Sequence, residues 1–232
     1  MQQILGQVAG VRVGRVVTQP WGGAGVPSAA IKQEVAGRSA VGRLGLPGDE
    51  HGDTVNHGGP EKAVLVFPRH RYDDWRSAGL DLPEGGFFEN LTLDIPGTDE
   101  TVVVLGETWR IGGAVVQVSQ PRNPCFKLAR RWGIDDLVVR VQDTGWAGWY
   151  LRVLEPGEIG VSDTVELLER PEGAPTVGEV ARVLNRDKRD LEGARRLLDA
   201  PGMPERWVAK LRRRLGGTVD EESARTTGPT DA

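Results

Sequence analysis

The chain of 232 residues contains one cysteine, Cys125, and only three histidines. One cysteine cannot close an internal disulfide, and an iron–sulfur cluster needs several thiolate ligands. The cysteine and the scattered histidines lack the ligand spacing of a zinc site. Leu128 stands where the P-C-x-x-C element of zinc deaminases has its second cysteine. The sequence therefore argues against an iron–sulfur cluster, a zinc site and a zinc deaminase.

Other common elements are also missing. No apolar run reaches the length of a membrane span, and no basic region followed by an apolar stretch opens the chain as in a secretory signal. Neither G-x-G-x-x-G nor a P-loop occurs. The formal net charge of −4 argues against broad nucleic-acid binding, although arginine is abundant between 182 and 214. We expect a cytoplasmic protein that binds neither nucleic acid nor membranes.

Glycine is plentiful, with 32 residues spread along the chain without a period. Many tight turns between short strands would explain this usage, and they indicate a mainly β protein with a closed or nearly closed antiparallel barrel and a few short helices. The pattern predicts a loop at 22–25 and helices over 68–79, 124–132 and 136–142. It predicts strands over 4–17, 31–35, 63–67, 101–105, 108–111, 114–119, 149–154 and 164–169.

The pattern changes after Glu169. Thr176 to Glu179 has the spacing of a capping box, and Asp190 and Pro204 mark the starts of two further helices. Three short helices form a small unit that needs to dock on the barrel. We therefore predict a barrel domain over residues 1–170, a three-helix unit over 175–215 and a disordered tail over 216–232.

Cys125 ends the run Gln117–Cys125, which also contains Pro121, Arg122 and Pro124. Pro124 suits the first position of a helix, which would place Cys125 in the first helical turn. A nearby cation and a helix start favour the thiolate, the form that attacks electrophiles and binds soft metals. A free cysteine is often a small buried hydrophobe instead, but the two prolines and the arginine favour a functional role.

A second dense segment, 48–63, places His57, Gly58, Gly59 and Lys62 immediately before a buried strand. The glycines would let backbone amides approach a ligand or adopt positive φ, and Lys62 would anchor a phosphate. His57 would donate to an anion or transfer a proton. The alternative is a turn in which aspartates accept backbone amides beside a solvated His51. We interpret Asp49 and Glu50 in that way, and both interpretations stay open for His57.

Two more segments carry polar side chains among apolar ones. In 86–92 the pair Glu89–Asn90 would brace a loop or bind a ligand. In 145–153 we interpret the aromatic residues as core, while Arg152, on the face opposite Leu151, would reach a pocket.

Taken in chain order, three of these segments resemble motifs of the MOSC domain family (molybdenum cofactor sulfurase C-terminal). The matching elements are H-G-G-x-x-K-A at 57–63, G-x-x-G-E-N-L-T at 86–92, except for one residue, and P-R-x-P-C at 121–125. The run 118–128 and the C-terminal helices are similar to the YiiM-like branch, the 6-N-hydroxylaminopurine resistance proteins with a 3-alpha domain. Phe88 departs from the family pattern, which has Gly before Glu-Asn, and this puts a ligand role for Glu89 or Asn90 in doubt.

The resemblance implies a MOSC β-barrel that binds a molybdopterin-type molybdenum cofactor, with Cys125 as the metal ligand. It implies reduction of N-hydroxylated compounds such as hydroxylaminopurines by removal of oxygen at molybdenum, which would be a detoxification. Cys125 and His57 would be catalytic, with His57 protonating the departing atom. The residues expected to bind the cofactor are Lys32, Gly58, Gly59, Lys62, Asn90, Arg122 and Arg152.

The chain has no visible flavin, nicotinamide or iron–sulfur element, so we expect a separate electron-donor protein as a partner. The sequence also allows a homodimer. Two alternatives stay open: a sulfur or cofactor carrier with a persulfide on Cys125, and a thiol hydrolase that pairs Cys125 with His57.

Overall fold

The computed structural model describes residues 3–21, 25–54, 56–218 and 225–226. The predicted loop at 22–25 lies outside the described residues except for Gly25, and most of the predicted tail, 219–224 and 227–232, also lies outside them. The strands are β1 (Gln3–Val13), β2 (Val17–Gln19), β3 (Val26–Ser28), β4 (Gln33–Glu34), β5 (Arg38–Val41), β6 (Val64–Pro68), β7 (Leu91–Asp94), β8 (Thr108–Ile111), β9 (Ala114–Pro121), β10 (Trp149–Glu155), β11 (Gly157–Gly160) and β12 (Thr164–Glu169).

Short helices connect the strands and complete the C-terminal part. They are a 3-10 turn (Pro60–Lys62), α1 (Arg71–Ser77), α2 (Phe126–Trp132), α3 (Leu137–Thr144), α4 (Val177–Ala181) with a π-helical turn (Arg182–Arg186), α5 (Leu191–Leu198) and α6 (Glu205–Leu215). Within the described ranges, no helix is long and apolar enough to cross a bilayer.

Seven strands close into a barrel in the order β12-β8-β9-β10-β6-β7-β1, and β1 pairs back with β12. The predicted mainly β barrel is therefore confirmed. Neighbouring strands are antiparallel except β6 and β7, which are parallel with Val66 opposite Leu91. This pair can be parallel because residues 69–90, including α1, form a crossover that returns the chain in the same direction.

The barrel interior is filled by apolar side chains from every strand of the ring. The run predicted as a buried strand, 63–67, forms β6, whose residues are all buried. Trp109 and Trp149 meet edge to face inside the barrel, with their ring centroids 5.8 Å apart. The interpretation of Trp149 as a core residue is thus confirmed. A second apolar cluster lies under α1–α3 and contains Phe67, Trp75, Phe87 and Leu128.

Four predicted elements differ from the structure. The predicted strand over 4–17 ends at Val13, and β2 begins at Val17. Residues 101–105 form turns, and only Val104 makes a bridge, to Thr176. β6 continues through Pro68, so α1 begins at Arg71. The predicted 31–35 strand is reduced to Gln33–Glu34, which pair with β1, although the Val35 amide also donates to the Val11 carbonyl at 2.9 Å. Strand propensity alone does not decide these segments, because the closed barrel leaves residues 101–105 no strand edge to pair with.

The three C-terminal helices form as predicted. The Thr176 hydroxyl accepts a hydrogen bond from the Glu179 amide at 3.1 Å, and the Asp190 carboxylate accepts one from the Gly193 amide at 2.7 Å. These caps satisfy amides that a helix start leaves without partners. The helices share a small core of their own, which contains Val180, Val183, Leu184, Ala194, Leu197, Trp207 and Leu211.

Polar contacts hold this three-helix unit against one end of the barrel. Gln120 of β9 is fully buried and accepts a hydrogen bond from the Trp207 indole at 2.8 Å and one from Arg206. Its amide nitrogen donates to the Glu61 carbonyl at 2.8 Å. Arg152 of β10 donates to the Gly202 carbonyl at 2.6 Å. α6 is consequently fixed beside the strand that leads to Cys125.

We expect Gln120→Ala to destabilise the protein by about 2 kcal/mol, because it leaves the buried Trp207 N–H without its partner and removes one of the two side-chain hydrogen bonds to the Glu61 carbonyl. Urea unfolding followed by tryptophan fluorescence measures the change. Gln117→Ala in the same strand, where the side chain is only partly buried, is the matched control. A Gln120→Ala protein as stable as the control would contradict this role of the amide.

Candidate functional site

Two cavities meet at Cys125. The inner cavity has a volume of about 90 Å³ and lies within the barrel domain, whereas the outer cavity of about 470 Å³ lies between the barrel and α6. A ligand in one cavity would therefore lie next to a ligand in the other. The residues that line both are His57, Lys62, Asn123, Cys125, Lys127 and Tyr150.

Cys125 lies at the N-cap of α2, in extended backbone with φ −128° and ψ 165°. The prediction that Pro124 opens the helix and Cys125 lies in its first turn was wrong by two residues, because Phe126 is the first helical residue and Cys125 is the N-cap. The thiol is half-buried rather than sealed in the core. The sulfur is thus available at the wall that the two cavities share.

The His57–Gly58–Gly59 turn adopts the backbone that its glycines were predicted to permit. Gly58 and Gly59 have φ of 74° and 84°, a region that side chains disfavour. A Cβ on Gly58 would lie 2.4 Å from His51 Cδ2, so only glycine fits against that imidazole. His51 is half-buried and lines the inner cavity, whereas the alternative turn interpretation placed it in solvent.

The site is electrostatically positive. Burial, with help from the Lys62 and Lys127 ammonium groups, lowers the pKa of His57 to about 4. Burial and the Arg206 charge lower the pKa of Lys62 to about 8. At neutral pH His57 is therefore a neutral imidazole among cations. Within the described residues no hydrogen bond joins its ring to Cys125, so the two do not form a nucleophile–base pair as they stand.

Lys32 and Asn90 line the inner cavity, but their polar groups are engaged within the protein. The Lys32 ammonium forms a buried ion pair with Asp49, and burial lowers its pKa. The same carboxylate accepts the Gly14 amide and the Asn90 side chain, each at 2.8 Å. The Asn90 oxygen accepts the Leu65 amide at 3.0 Å. Asp49 thus accepts a backbone amide as predicted, and Asn90 braces strands.

Glu89 is fully buried and binds its own loop. One carboxylate oxygen accepts hydrogen bonds from the Tyr72 hydroxyl, the Gly85 amide and the Thr92 hydroxyl at 2.6, 2.7 and 2.9 Å. This is the loop-bracing interpretation of the Glu89–Asn90 pair. Phe88, which precedes it, has φ 65°, so phenylalanine occupies a left-handed conformation that suits glycine. Its side chain lines the inner cavity and narrows it.

Arg122, like Lys62 and Lys127, is a cation of the inner cavity without a carboxylate partner in the described part of the chain. Its guanidinium lies 5.9 Å from the ring centroids of both Phe87 and Phe88, and its Nη1 is buried with no hydrogen-bond partner. The buried Asn123 Oδ1 beside it also lacks a partner. Unsatisfied buried polar atoms are costly, so both atoms point to a ligand.

Two predicted site residues lie apart from this group. Gly59 caps the 3-10 turn and lines neither cavity. Arg152 pairs with Glu61 at 2.8 Å and with the Gly202 carbonyl, because the outer face of β10 is covered by the three-helix unit. The structure brings together the other predicted residues: Lys32, His57, Gly58, Lys62, Asn90, Arg122 and Cys125.

Several lining residues were missed by the sequence analysis. Asn123 and Lys127 flank Cys125 in the chain, and that proximity was a usable signal. Tyr150 alternates with the core residues of β10 and was interpreted as core, whereas it lines both cavities. The cations of α6 could not be assigned, since only the docking of the unit brings them to Cys125.

The parts of the chain that the structure describes contain no cluster of three or more His, Cys, Asp or Glu side chains able to hold a metal ion. A metal bound at this site would therefore need most of its ligands from a bound cofactor rather than from the described residues.

A closed barrel with a cysteine at the junction of two cavities, joined to a three-helix unit, defines a MOSC-type protein. The MOSC domain family matches residues 53–166, and the family of YiiM-like 3-alpha helix domains matches residues 175–217. The chain is 36% identical to the protein YiiM of Escherichia coli (strain K12) over 212 residues, which are 88% of this chain and 92% of that protein. The chain belongs to the MOSC domain family, in its YiiM-like branch.

Two further comparisons bear on fold and chemistry. The crystal structure of YiiM from Geobacillus stearothermophilus has a TM-score of 0.73 and 30% sequence identity, and the match covers 93% of this chain and 100% of that chain. A protein named reductase from Gibberella moniliformis (strain M3125 / FGSC 7600) is 38% identical over 179 residues, which are 75% of this chain and 31% of the reductase.

The backbone at position 88 leads to an unusual expectation. We expect Phe88→Gly to be more stable than Phe88→Ala by about 1 kcal/mol, because glycine alone accepts the positive φ without strain. Urea unfolding of the two variants measures the difference. Phe126→Gly and Phe126→Ala at the start of α2 are the control pair, in which alanine should be the more stable. If alanine were the more stable substitution at position 88 as well, that position would not be strained.

Burial of neutral His57 predicts a pH dependence of stability. The folded pKa of about 4 lies below the unfolded value of 6.5, so the contribution is full above pH 6.5 and is lost as the pH falls toward 4. Between pH 6.5 and pH 5 the free energy of unfolding of the parent protein should fall by roughly 2 kcal/mol more than that of His57→Gln. Denaturant unfolding at both pH values measures this, with His70→Gln, which lines neither cavity, as the control. Equal losses in the parent and His57→Gln would contradict it.

Proposed function

We propose that this protein binds a molybdopterin-type molybdenum cofactor through Cys125 and reduces N-hydroxylated compounds such as hydroxylaminopurines. One observation carries the proposal: Cys125, which is only partly buried, lies where the inner and outer cavities meet. A thiolate there can bind a thiophilic metal while a substrate approaches from the other side. Family membership and the related protein named reductase support an oxidoreductase.

The residues present fit such a cofactor. The site offers one thiolate and no other metal ligand set among the described residues, which suits a metal that brings sulfur ligands of its own. The cofactor also carries a phosphate. The Arg122 guanidinium, with its buried and unpartnered Nη1, is the most suitable anchor for it, and the unpartnered Asn123 Oδ1 can accept a hydrogen bond from the pterin. Lys32 is less suitable, because its ammonium is neutralised by Asp49.

When bound, the cofactor supplies the two-electron chemistry that cleaves the N–O bond. The overall reaction converts a hydroxylamine, two electrons and two protons into an amine and water. The electrons come from a separate donor protein. This chain orients the substrate against Cys125, and Tyr150 and Phe126 provide flat walls for a heteroaromatic ring.

Protons reach the substrate from groups that line both cavities. His57, with a pKa of about 4, is neutral at pH 7 and donates a hydrogen bond through its N–H. An anion bound near Lys62 and Lys127 offsets their positive charge and makes protonation of His57 easier, which preserves the predicted acid role in the loaded protein. Lys62, with a pKa of about 8, holds a proton at neutral pH at the same wall.

The two alternative functions receive less support. A thiol hydrolase needs His57 as a base bonded to Cys125, and the described structure contains no such hydrogen bond; the low pKa also makes His57 a weak base. A persulfide carrier needs an accessible thiol, which is present, but it does not need two joined cavities. Mass spectrometry for a persulfide on Cys125 in the purified protein would favour the carrier.

The test is Cys125→Ser, made in a molybdenum-replete host. We expect molybdenum bound to the purified protein to fall at least tenfold, and reduction of 6-N-hydroxylaminopurine to fall to background, because the substitution removes the thiolate that is proposed to bind the metal. Circular dichroism should match the parent. The parent protein from a cofactor-deficient host is the control for background metal. Equal molybdenum and turnover in Cys125→Ser and parent would end the proposal.

A further inference from the structure

The outer cavity is strongly cationic. Its described lining contains one carboxylate, that of Asp53, and six lysines or arginines. Three of the cations come from one face of α6, at the i, i+4 and i+7 positions, and the others come from the barrel domain and the C-terminal segment. The six are Lys62, Lys127, Arg206, Lys210, Arg213 and Arg225.

Several of these cations have neutral partners only. Within the described residues, Lys62 donates to the Asn56 carbonyl, Lys127 to the Pro27 carbonyl at 3.0 Å and Arg206 to the Gln120 side chain, and none of the three forms an ion pair with a carboxylate. Lys127 is 9% exposed, so its charge is largely removed from water. Positive charges held close together are unfavourable when they outnumber the nearby carboxylates, and a bound anion relieves this.

Besides burial, these positive charges lower the pKa values of two residues of the barrel domain. Arg206 of α6 lowers the pKa of Lys62, and Lys62 and Lys127 lower the pKa of His57. The cations of the two structural units are therefore close enough to repel one another across the cavity. A ligand with two negative charges would relieve this repulsion more than a single carboxylate would.

The remaining walls are aromatic. Phe126, Tyr150 and Trp207 line the cavity, and the Arg206 and Lys210 cations lie 4.5 and 5.2 Å from the centroid of the Trp207 ring. Flat apolar walls suit a heteroaromatic ring, and a volume of about 470 Å³ lies within the range of small-ligand pockets. The cavity thus combines a surface for a ring with a surface for an anion.

We propose that the outer cavity binds the phosphate of a phosphorylated substrate, so that nucleoside 5′-monophosphates with an N-hydroxylated base are preferred to the free bases and nucleosides. In this arrangement α6 holds the phosphate and the ring extends toward Cys125. The C-terminal unit thereby contributes directly to substrate selection. This inference rests on the proposed function for the group that reacts, but the binding step can be measured without turnover.

The experiment uses the purified full-length protein, adenosine 5′-monophosphate as the probe, and adenosine and inorganic phosphate for comparison. Isothermal titration measures the three dissociation constants. We expect the monophosphate to bind at least tenfold more tightly than adenosine, because charge-assisted hydrogen bonds are added. Arg206→Ala and Arg213→Ala should each raise the dissociation constant of the monophosphate about tenfold, and should change that of adenosine less than twofold.

The matched control is Arg212→Ala on the same helix, whose exposed side chain lines neither cavity. It should bind the monophosphate like the parent. The two test variants separate a folding defect from a binding defect, since Arg206 contacts Gln120 whereas Arg213 is exposed on α6. Thermal unfolding should show all three variants folded.

Pterin and molybdenum contents of the same preparations distinguish the substrate phosphate from the cofactor phosphate. Unchanged contents together with weakened monophosphate binding support the proposal. Loss of pterin in Arg206→Ala and Arg213→Ala, with monophosphate binding unchanged, would assign the cations to the cofactor and overturn it. Equal affinity for adenosine and its monophosphate, or no binding of the monophosphate, would also overturn it. A failure of Cys125→Ser to change metal content would instead concern only the proposed function.

Discussion

The geometry of the site depends on one buried side-chain amide, that of Gln120. Gln120, fully buried at the end of β9, donates to the Glu61 carbonyl and accepts hydrogen bonds from Arg206 and Trp207. It thus joins the strand that leads to Cys125, the turn that carries Lys62, and α6. Each of these parts supplies a wall of the outer cavity. Because an amide can donate and accept at once, one residue positions all three with little freedom.

Charge is distributed unevenly around this centre. At the inner end Lys32 is neutralised by Asp49, which also holds Asn90 and the Gly14 amide, so that region is a satisfied structural network. At the shared wall Lys62 and Lys127 have carbonyl partners only in the described residues. Stable burial is achieved where charges are paired, and binding capacity remains where they are not. The same physical rule therefore separates bracing residues from residues that await a ligand.

Sequence reasoning was most successful where local chemistry determines structure. The continuous apolar run of β6, the caps at Thr176 and Asp190, and the positive φ of Gly58 and Gly59 follow from side-chain and backbone preferences within a few residues. The short motifs around Cys125 and His57 were also brought together in the structure, since both lie at one end of the barrel. The assignments that concern cofactor and substrate stay predictions.

Other assignments needed the tertiary structure. Arg152 was expected at the pocket from strand alternation, but the three-helix unit covers that face of β10 and its Gly202 carbonyl takes the guanidinium. The residues 101–105 read as a strand and became turns, because the closed ring of seven strands leaves them no edge to pair with. The sequence by itself determined the barrel class, the helical unit and the cysteine with its flanking motif, because those depend on local periodicity and spacing. Only the tertiary structure decided that the cations of α6 face the cavity at that cysteine, since they lie about eighty residues away in the chain and reach it through the docking of α6.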